Sequence, residues 1–304
     1  MQKLLIVGCG DIARRTLPRL IGHYRLFALL RNPAQCAWWR AAGALPILAD
    51  LDHADSLERI AGLADQVLHF APPPSVTKKG GAPVDTRTHK LLAALGRGKS
   101  LPQRIVYIST SGVYGDCQGA RIDETRTPRP TTARAWRRVD AERQLRAFGQ
   151  RNSVTVSILR APGIYAADRL PLERLKKGAQ VLRDEDDVYT NHIHAEDLAM
   201  LACAALRYGR ANRIYHASDD SELKMGEYFD RVAERFGLPK PTRLSRSEAT
   251  GALSPLLLSF MGESRRLLNQ RISRELKAKL RYPCVEQGIE AAWNDWTNAK
   301  EIAC

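Results

Sequence analysis

The chain opens on a short, unbroken run of apolar residues that two glycines follow at once. Leu4 to Val7 is typical of a strand buried on both faces and is too short to be a helix. Gly8 and Gly10 come next, and an apolar stretch compatible with a helix begins at Asp11. A strand, a glycine-rich turn and a helix in this order predict the start of a dinucleotide-binding fold.

Apolar runs and helix-compatible stretches alternate in the same way through the first 165 residues. Further strands are predicted over Tyr24 to Leu30, Ala44 to Leu48, Gln66 to Phe70, Arg104 to Ser109 and Val154 to Leu159. Helices are predicted over Asp11 to Leu20, Ala34 to Ala42, from near Ser56, over Thr86 to Leu95 and over Thr132 to Phe148. Pro18 is expected to kink the first helix or end it early. This alternation indicates an α/β protein, a Rossmann-like doubly wound parallel sheet with helices on both faces.

The pattern loosens after Tyr165, and we expect the chain to leave the sheet there. Helices are predicted over Leu170 to Lys177, Ala195 to Tyr208 and Met225 to Phe236, and a strand over Arg213 to His216. We therefore predict a dinucleotide-binding domain over residues 1–165 and a smaller substrate-binding lobe over residues 166–304, with the chain able to cross between them. The lobe is expected at the carboxyl edge of the sheet, where ligands of open α/β sheets bind.

The composition is that of an ordinary folded protein. The 304 residues are 44% hydrophobic and 26% charged, and no apolar run approaches the ~20 residues of a membrane span. The first residues lack the long apolar centre of a signal peptide. The six cysteines form no CxxC pair, so we expect reduced thiols in a cytoplasmic protein. The acidic run Asp184 to Asp187 is interpreted as a solvated turn, and no metal site is predicted.

The net charge of +14 raises the question of an anionic ligand. The arginines are scattered, so a basic solvated surface is the simplest interpretation, ahead of attraction for phosphorylated ligands. A third hypothesis is nucleic-acid binding by the basic helix that carries Arg134, Arg137, Arg138, Arg143 and Arg146. Because the sequence has no basic tail, zinc finger or RNA-binding signature, we expect no specific nucleic-acid partner.

The glycine-rich turn has a physical role in binding a dinucleotide. Gly8 allows the tight turn, and Gly10 lets the backbone approach a pyrophosphate where a Cβ would collide. The helix that follows points the free N–H groups of Asp11, Ile12 and Ala13 at the phosphates. Ala13 replaces the third glycine of the GxGxxG motif and is small enough to let the helix pack against the strand.

The residues after the second and third strands bear on which coenzyme binds. Arg31 and Asn32 stand where a carboxylate would bind the ribose hydroxyls of NAD, and an arginine accommodates the extra phosphate of NADP. The position favours NADP over NAD, with a solvated arginine at a strand end as the alternative. Asp50 and Leu51 follow the third strand. An acid there can reach the adenine amino group, but Asp50 or Asp52 suits equally well as a cap for the next helix.

Three prolines turn the chain after the fourth strand. Ala71, Pro72 and Pro73 therefore lie at the carboxyl edge of the sheet, and we include them in the predicted coenzyme site. The polar stretch Ser75 to Thr86 is predicted to be a mobile surface loop.

Several motifs together resemble the short-chain dehydrogenase/reductase superfamily, in particular its NAD-dependent epimerase/dehydratase branch with its extended and atypical members. They are the Gly8 to Ala13 turn, the Val106 to Gly115 run, the Arg160 to Tyr165 run, the Asn191 to Leu198 run, and the tail segments Ser264 to Asn269 and Arg281 to Pro283. The resemblance covers nearly the whole chain. It implies the doubly wound fold, a nicotinamide coenzyme, a small-molecule substrate and a homodimer.

The resemblance also implies a set of catalytic positions. In this family a Tyr acts as general acid/base, a Lys four residues later lowers its pKa and holds the nicotinamide ribose, and a Ser or Thr binds the substrate oxygen. Thr110 falls on the Ser/Thr position, but Arg134 and Arg138 stand where the Tyr and Lys should be. Arginine stays protonated and cannot act as a base, although Arg138 can still hold the ribose or a phosphate. Pro162 is assigned to the coenzyme site.

Other side chains near these motifs are candidates for the missing proton transfer. Ser111, Tyr114 and Tyr165 are the nearest, with packing or loop hydrogen bonds as the alternative role for each. His192 and His194 raise the hypothesis of a base or a metal pair. The resemblance instead gives His194, beside the acid that follows it, a structural role under the substrate lobe.

Two functions follow from these observations. The first is an NADP-dependent oxidoreductase or epimerase/dehydratase that acts on a polar, anionic substrate such as a nucleotide sugar. The second is a non-catalytic protein that senses the NADP/NADPH ratio, which the missing Tyr and Lys favour. The extent of the resemblance and the basic charge favour the enzyme.

Overall fold

The structure is a computed structural model, and it describes residues 1–75 and 83–303. The strands are β1 (Gln2–Val7), β2 (Tyr24–Leu30), β3 (Ala44–Leu48), β4 (Gln66–His69), β5 (Arg104–Thr110), β6 (Arg121–Ile122), β7 (Thr155–Ala161), β8 (Gly163–Tyr165), β9 (Gln180–Leu182), β10 (Tyr189–Thr190), β11 (His192–His194), β12 (Arg213–His216), β13 (Leu223–Lys224), β14 (Thr242–Leu244) and β15 (Arg266–Leu267). The α-helices are α1 (Asp11–Leu20), α2 (Cys36–Ala41), α3 (Thr86–Gly96), α4 (Ala133–Asn152), α5 (Leu172–Lys176), α6 (Ala195–Tyr208), α7 (Met225–Arg235), α8 (Arg246–Ala252), α9 (Pro255–Phe260), α10 (Gln270–Arg274) and α11 (Val285–Ala303). Most of the surface loop predicted over Ser75 to Thr86 lies outside the described residues.

Within the described residues, seven parallel strands form one sheet in the order β12-β7-β5-β4-β1-β2-β3. The order reverses at β1, where Ile6 pairs with Ala28 of β2 on one side and with Leu68 of β4 on the other. Loops that follow strands on the two sides of such a reversal diverge and leave a crevice for a ligand. The sheet confirms the predicted Rossmann-like, doubly wound α/β fold.

Helices on both faces of the sheet explain why the strand sequences are apolar without alternation. Leu4 and Ile6 pack in the core beneath α1 and α6, whereas Leu5 and Val7 pack on the opposite face beneath α3 and α4. All four side chains are fully buried. A strand covered on one face only would need a polar residue at every second position.

The helices depart from the sequence prediction where proline and local caps intervene. α1 continues through Pro18 to Leu20, because Pro18 lies in the last turn and disturbs only the end of the helix. The helix predicted from Ala34 is split into a 3-10 turn, Pro33–Gln35, and α2. The helix predicted near Ser56 is the 3-10 helix Ala54–Ile60. Two further 3-10 helices span Ser111–Tyr114 and Ala167–Arg169.

The segment after residue 165 contributes to the sheet as well as to a separate core. Within it, α6 packs on α1, and β12 pairs with β7 as the last strand of the sheet. Tyr165 packs with residues of α5, α7 and α11 in a hydrophobic cluster of its own, away from the sheet. The chain therefore leaves the sheet after β8, returns for α6 and β12, and leaves again.

Some negative findings hold for the described part of the chain. No helix within residues 1–75 and 83–303 has the length and apolar character that crossing a membrane requires. Over the same residues, His, Cys, Asp and Glu side chains form no group of three that could hold a metal ion. The cysteines at positions 9, 36, 117, 203 and 284 are not joined in disulfides.

Candidate functional site

A cleft of about 1030 Å³ lies at the carboxyl edge of the sheet. Its sheet wall is formed by residues that end β5 and follow β7, its side wall by the first turns of α4, and its far wall by the lobe. Eight arginines line it among the described residues: Arg31, Arg87, Arg134, Arg137, Arg138, Arg169, Arg174 and Arg265. The carboxylate of Glu263 is the acidic group among the described lining residues. The cleft is therefore strongly positive, which attracts anionic ligands.

The two glycines of the first turn have different roles. Gly8 has φ +89°, and a Cβ there would lie 2.2 Å from the backbone nitrogen of Ala71, so the fold itself requires glycine. Gly10 precedes α1, is exposed, and a Cβ built on it would meet nothing within 4 Å. The fold does not require glycine at position 10. An open position at the start of a helix fits a ligand phosphate that approaches the backbone.

The residues after Gly10 serve packing and ion pairing. Ile12 and Ala13 are buried in the core, as the tight packing of helix on strand requires. Asp11 pairs through Oδ1 with Arg15 at 2.9 Å and through Oδ2 with Arg169 at 2.9 Å. The two arginines balance the charge of a carboxylate that would otherwise repel a phosphate at this helix end. Neither Gly8, Gly10 nor the Asp11 to Ala13 segment is among the described residues that line the cleft.

Arg31 lines the cleft with an exposed side chain, at the end of β2. Its neighbour Asn32 caps the 3-10 turn that follows, because Asn32 Oδ1 accepts a hydrogen bond from Ala34 N at 3.0 Å. Asp50 Oδ1 likewise accepts from Asp52 N at 2.9 Å. Arg31 is therefore placed to contact a ligand in the cleft, whereas Asn32 and Asp50 use their side chains in turns of the chain.

The alternative role of Asp50 or Asp52 as a helix cap is wrong. The 3-10 helix Ala54–Ile60 begins after His53. Asp52 instead pairs with Arg87 through two hydrogen bonds of 2.8 and 2.6 Å, which hold the pKa of its carboxyl below the usual value. Arg87 Nη1 also donates to the Pro72 carbonyl at 3.2 Å, so this pair fixes the loop after β4.

The loop after β4 divides between core and cleft. Pro72 and Pro73 line the cleft, as expected for the carboxyl edge. Ala71 and Leu51 are buried in the core beneath α3 and α4 and present no side chain to the cleft. Pro162, which follows β7, lines the cleft beside the end of β5.

Thr110 and Ser111 both line the cleft where β5 ends. Thr110 Oγ1 accepts a hydrogen bond from Gly112 N at 3.2 Å, which leaves its hydroxyl proton free to be donated to a ligand oxygen. The Ser111 side chain is buried, and its hydroxyl has no hydrogen-bond partner among the described residues. These two hydroxyls are suited to polarising a substrate oxygen.

Tyr114 lies below the cleft, and its predicted catalytic role has no support from its position. Its side chain is 1% exposed and is not among the described residues of the cleft wall. Its hydroxyl is 2.5 Å from Nε2 of His216, whose Nδ1 donates to the Leu268 carbonyl at 2.9 Å. Burial raises the pKa of Tyr114 to about 12 and lowers that of His216 to about 3. The pair is a neutral hydrogen bond of the core.

A buried ion pair supports Tyr114 from beneath. Arg160 donates to Glu142 through Nε at 3.1 Å and Nη2 at 2.6 Å, and its guanidinium lies 4.7 Å from the centre of the Tyr114 ring. Ser109 Oγ donates to Glu142 Oε1 at 2.6 Å. Glu142 is 3% exposed and Arg160 is 1% exposed. This network ties β5, α4 and β7 together behind the cleft wall.

Arg134 and Arg138 are brought to the cleft by α4, as the family resemblance implies for the residues at these positions. Arg138 Nη1 donates to the Ile108 carbonyl and to the Tyr107 hydroxyl, both at 2.8 Å. The guanidinium of Arg134 lies 4.7 Å from the centre of the Phe260 ring. Arg138 is therefore held firmly against the sheet, while Arg134 lies at the mouth.

The lobe contributes one imidazole to the described cleft wall. His192 is 6% exposed, stacks on Tyr228 with ring centres 4.3 Å apart, and its Nδ1 has no hydrogen-bond partner among the described residues. Burial lowers its pKa to about 4, so it is neutral near pH 7. Tyr165 also lines the cleft, and burial raises the pKa of its hydroxyl far above the usual value.

His194 has the structural role that the resemblance implies. Its Nδ1 accepts a hydrogen bond from Glu196 N at 3.2 Å and so caps the start of α6. The next acid, Asp197, accepts from Arg281 N at 2.8 Å and from Tyr282 N at 2.9 Å, which anchors the tail. The Asp184 to Asp187 run is a turn, as predicted, with Asp187 accepting from Val188 N and Gly226 N, both at 2.8 Å.

Sequence reasoning missed four arginines of the cleft, one of which, Arg87, lies in the first turn of α3. Arg169, Arg174 and Arg265 come from the irregular second half of the chain, far in sequence from the motifs of the first half. Arg265 belongs to the tail segment that resembles the family, which was the available signal. Nothing in the local pattern around Arg169 or Arg174 distinguishes them from surface residues, because their approach to the cleft depends on how the lobe folds back.

Comparison with known proteins gives a family match. The model of the NAD dependent epimerase/dehydratase family matches residues 4–218. The human dTDP-D-glucose 4,6-dehydratase is 23% identical over 146 residues, 45% of this chain and 41% of that protein. The chain therefore aligns with about two fifths of the length of this curated relative.

Two solved structures show the likeness of fold. A functionally unknown conserved protein from Silicibacter pomeroyi is 29% identical, with a TM-score of 0.77 over 97% of this chain and 99% of that one. A dTDP-glucose 4,6-dehydratase from Streptomyces venezuelae with NAD bound is 21% identical, with a TM-score of 0.75 over 97% of each chain. The doubly wound sheet and the lobe over its edge are thus both matched.

Proposed function

Because the chain belongs to the NAD-dependent epimerase/dehydratase family, we propose that it is an enzyme that binds NADP and acts on a polar, anionic substrate of the nucleotide-sugar kind. The observation that carries this proposal is the arginine-lined cleft at the carboxyl edge, with Arg31 at one end and Thr110 and Ser111 within it. Its charge suits phosphorylated ligands, and its position is where open α/β sheets bind them.

The residues present fit a nicotinamide dinucleotide. The open position at Gly10 and the first turn of α1 would receive the pyrophosphate, Arg31 the phosphate on the adenosine ribose, and Arg138 the nicotinamide ribose. Pro72, Pro73 and Pro162 would border the coenzyme from the sheet edge. When bound, the coenzyme supplies hydride acceptance or donation.

The chain's own residues would bind and orient the substrate oxygen. Thr110 and Ser111 would donate hydrogen bonds to it, and Arg138 adds a fixed positive charge beside them. An arginine cannot remove a proton, so the α4 residues that line the cleft supply no base. His192, a neutral imidazole of the cleft wall, is our proposed proton acceptor in place of the missing tyrosine.

The glycine turn provides a first test of coenzyme binding. We expect Gly10→Ala to leave the melting temperature of the free protein unchanged, because its new methyl group meets nothing within 4 Å. The same methyl group should collide with the pyrophosphate and raise the Kd for NADPH at least roughly tenfold. Calorimetric titration and thermal melting measure both quantities. Gly251→Ala, which also meets nothing within 4 Å but lies in α8, is the control and should leave the Kd for NADPH unchanged.

The coenzyme preference depends on Arg31. We expect Arg31→Ala to weaken NADPH binding roughly tenfold to a hundredfold while NADH binding changes little, because only NADPH carries the extra phosphate. Parallel titrations with the two coenzymes measure the ratio. Arg25→Ala, at the exposed opposite end of β2, should leave the ratio intact. An equal loss for both coenzymes would contradict a contact with the phosphate.

A sensor of the NADP/NADPH ratio remains the second candidate, and two observations favour it. Arg138 is fixed to the sheet by two hydrogen bonds, and Tyr114, the nearest tyrosine of the motif, is buried below the cleft. The candidates differ in turnover. Oxidation of NADPH with a panel of sugar nucleotides and phosphorylated carbonyl compounds would support the enzyme, whereas coenzyme binding without turnover across the panel would support the sensor.

The assembly and location of the protein are also proposals. We propose a homodimer on the basis of the family resemblance, and a cytoplasmic location on the basis of the cysteines that form no disulfides in the described residues. A small-molecule substrate is proposed as the partner, with no specific nucleic acid.

A further inference from the structure

One arginine of the cleft is buried without a counter-charge. Arg137 is 7% exposed, lines the cleft, and forms no hydrogen bond or ion pair with the described residues. Its neighbours differ in this respect: Arg138 donates to Ile108 and Tyr107, and Arg160 pairs with Glu142. Arg137 is therefore a mostly buried cation at the cleft wall whose Nε has no partner among the described residues.

Such a charge is costly to the free protein. A guanidinium stays protonated at any accessible pH, so Arg137 cannot become neutral to escape the cost of burial. Buried charges are normally paired or hydrogen-bonded, and an exception in a cleft indicates that the partner comes from outside the chain. The partner of a guanidinium is an anion, preferably one with several acceptor oxygens.

The surroundings of Arg137 indicate an anion of more than one charge. Arg134 lies three residues before Arg137 and four before Arg138, so it shares a helix face with each of them, and all three line the cleft. Arg265 also lines the cleft, is 9% exposed, and has an Nε without a partner among the described residues. Glu263 is already engaged, since Oε1 accepts from Thr131 Oγ1 at 2.8 Å and Oε2 from Arg265 at 3.0 Å.

The start of α4 adds to this positive region. Thr132 lines the cleft, and its Oγ1 accepts from Ala135 N at 3.2 Å, so it caps the helix immediately before Arg134. The helix is 20 residues long, and its amino end carries the positive end of the helix dipole. Among its described residues, this part of the cleft thus has four guanidinium groups and the positive end of a helix, but only one carboxylate, Glu263, which is already paired. Its net charge is therefore positive.

We propose that Arg137, assisted by Arg265 and Arg134, binds the phosphate monoester group of the substrate. The site lies on the helix where relatives of this family carry their acid/base pair, beside Thr110 and Ser111. The group that reacts would then lie close to the phosphate, as in a small phosphorylated hydroxy or oxo compound. Among the polar, anionic substrates of the proposed function, this inference puts such a compound in place of a nucleotide sugar, whose phosphates are far from the reacting carbon. This inference rests on the proposed function, because it refines its substrate class.

The test uses inorganic phosphate and the full-length protein without coenzyme. We expect phosphate, at a pH where it is a dianion and at constant ionic strength, to raise the melting temperature of the wild type. Arg137→Met should melt higher than the wild type without phosphate, because an unpaired buried charge is gone, and should lose about tenfold or more in phosphate affinity. The variant would thus be more stable but bind phosphate more weakly. A misfolded variant would instead lose both stability and affinity. Arg137→Gln serves if the methionine variant does not fold.

Two further variants distinguish this site from general surface charge and from the coenzyme site. Arg143→Met removes an exposed arginine of the same helix and should leave phosphate affinity intact; an equal loss there would reduce the effect to general surface charge. Arg31→Ala should keep its response to phosphate, and a loss there would place the anion in the coenzyme site and overturn the proposal. NADPH titration of Arg137→Met is a separate measurement. If phosphate does not raise the melting temperature of the wild type while NADPH still binds, only this inference is contradicted. If the wild type does not bind NADPH, the proposed function is contradicted.

Discussion

Replacing Glu142 with leucine is expected to lower the free energy of unfolding by about 3–5 kcal/mol, because the variant would leave Arg160 buried without its partner. Arg160 is 1% exposed and has two hydrogen bonds to Glu142, of 3.1 and 2.6 Å. Ser109 would also lose its acceptor, at 2.6 Å. The expected result is a cooperative urea transition with an unchanged slope and a much lower midpoint.

A double-mutant cycle isolates the pair. Arg160→Met alone should be similarly destabilising, because it leaves the Glu142 carboxylate buried without its counter-charge. The double variant Glu142→Leu with Arg160→Met should be less destabilised than the sum of the two single variants, since no buried charge remains. If the two costs simply add, the ion pair does not couple the residues, and the network beneath Tyr114 is a set of independent contacts.

Acidification from about pH 7 to about pH 5 is expected to remove several kcal/mol of stability. Burial depresses the pKa of His69 and His216 to about 3, and that of His192 and His194 to about 4, whereas an unfolded chain binds protons near pH 6.5. In this window the unfolded state takes up protons that the folded state does not, so stability rises with pH. His69, His192 and His216 each account for about 2 kcal/mol of the loss, and His194, which is closer to solvent, accounts for less.

One buried acid acts in the opposite direction. Burial raises the pKa of Asp219 to about 8, so between about pH 4 and pH 8 the folded state holds a proton that the unfolded state has lost. Asp219 therefore destabilises the fold as the pH rises and offsets part of the histidine effect. Urea titrations at several pH values measure the net slope. His69→Gln, which can still donate to Thr88 Oγ1, should make the slope shallower, and an unchanged slope would contradict the argument for His69.

The order of elements in the first half of the chain was predictable from sequence for a physical reason. β2 has the predicted bounds because a strand buried on both faces has a continuous apolar sequence. β3 also has the predicted bounds because its sequence is apolar, although it is an edge strand with Leu45 and Leu48 exposed. The glycine turn was predictable because Gly8 is required by contact with Ala71 and Gly10 by the expected ligand. These are local constraints, and local constraints are visible in sequence.

The chemistry of the cleft was less predictable, because side-chain direction depends on tertiary packing. Tyr114 was a candidate acid/base by its position after β5, yet the turn Ser111–Tyr114 directs it down onto Arg160 and His216. Arg137 looked like one more arginine of a basic helix. Its significance appears only once its burial and its lack of a partner among the described residues are known.

The return of the chain to the sheet as β12 determines how far the protein can be divided. A chain stopped at residue 165 would lack the strand that covers the outer edge of β7, from Ser157 to Arg160. It would also lack α6, which would expose α1 and the part of that face of the sheet that α6 covers. An uncovered edge strand invites pairing with other chains. Residues 1–165 therefore cannot be excised as an autonomous unit, and exchange of the later segments between relatives requires more than one junction.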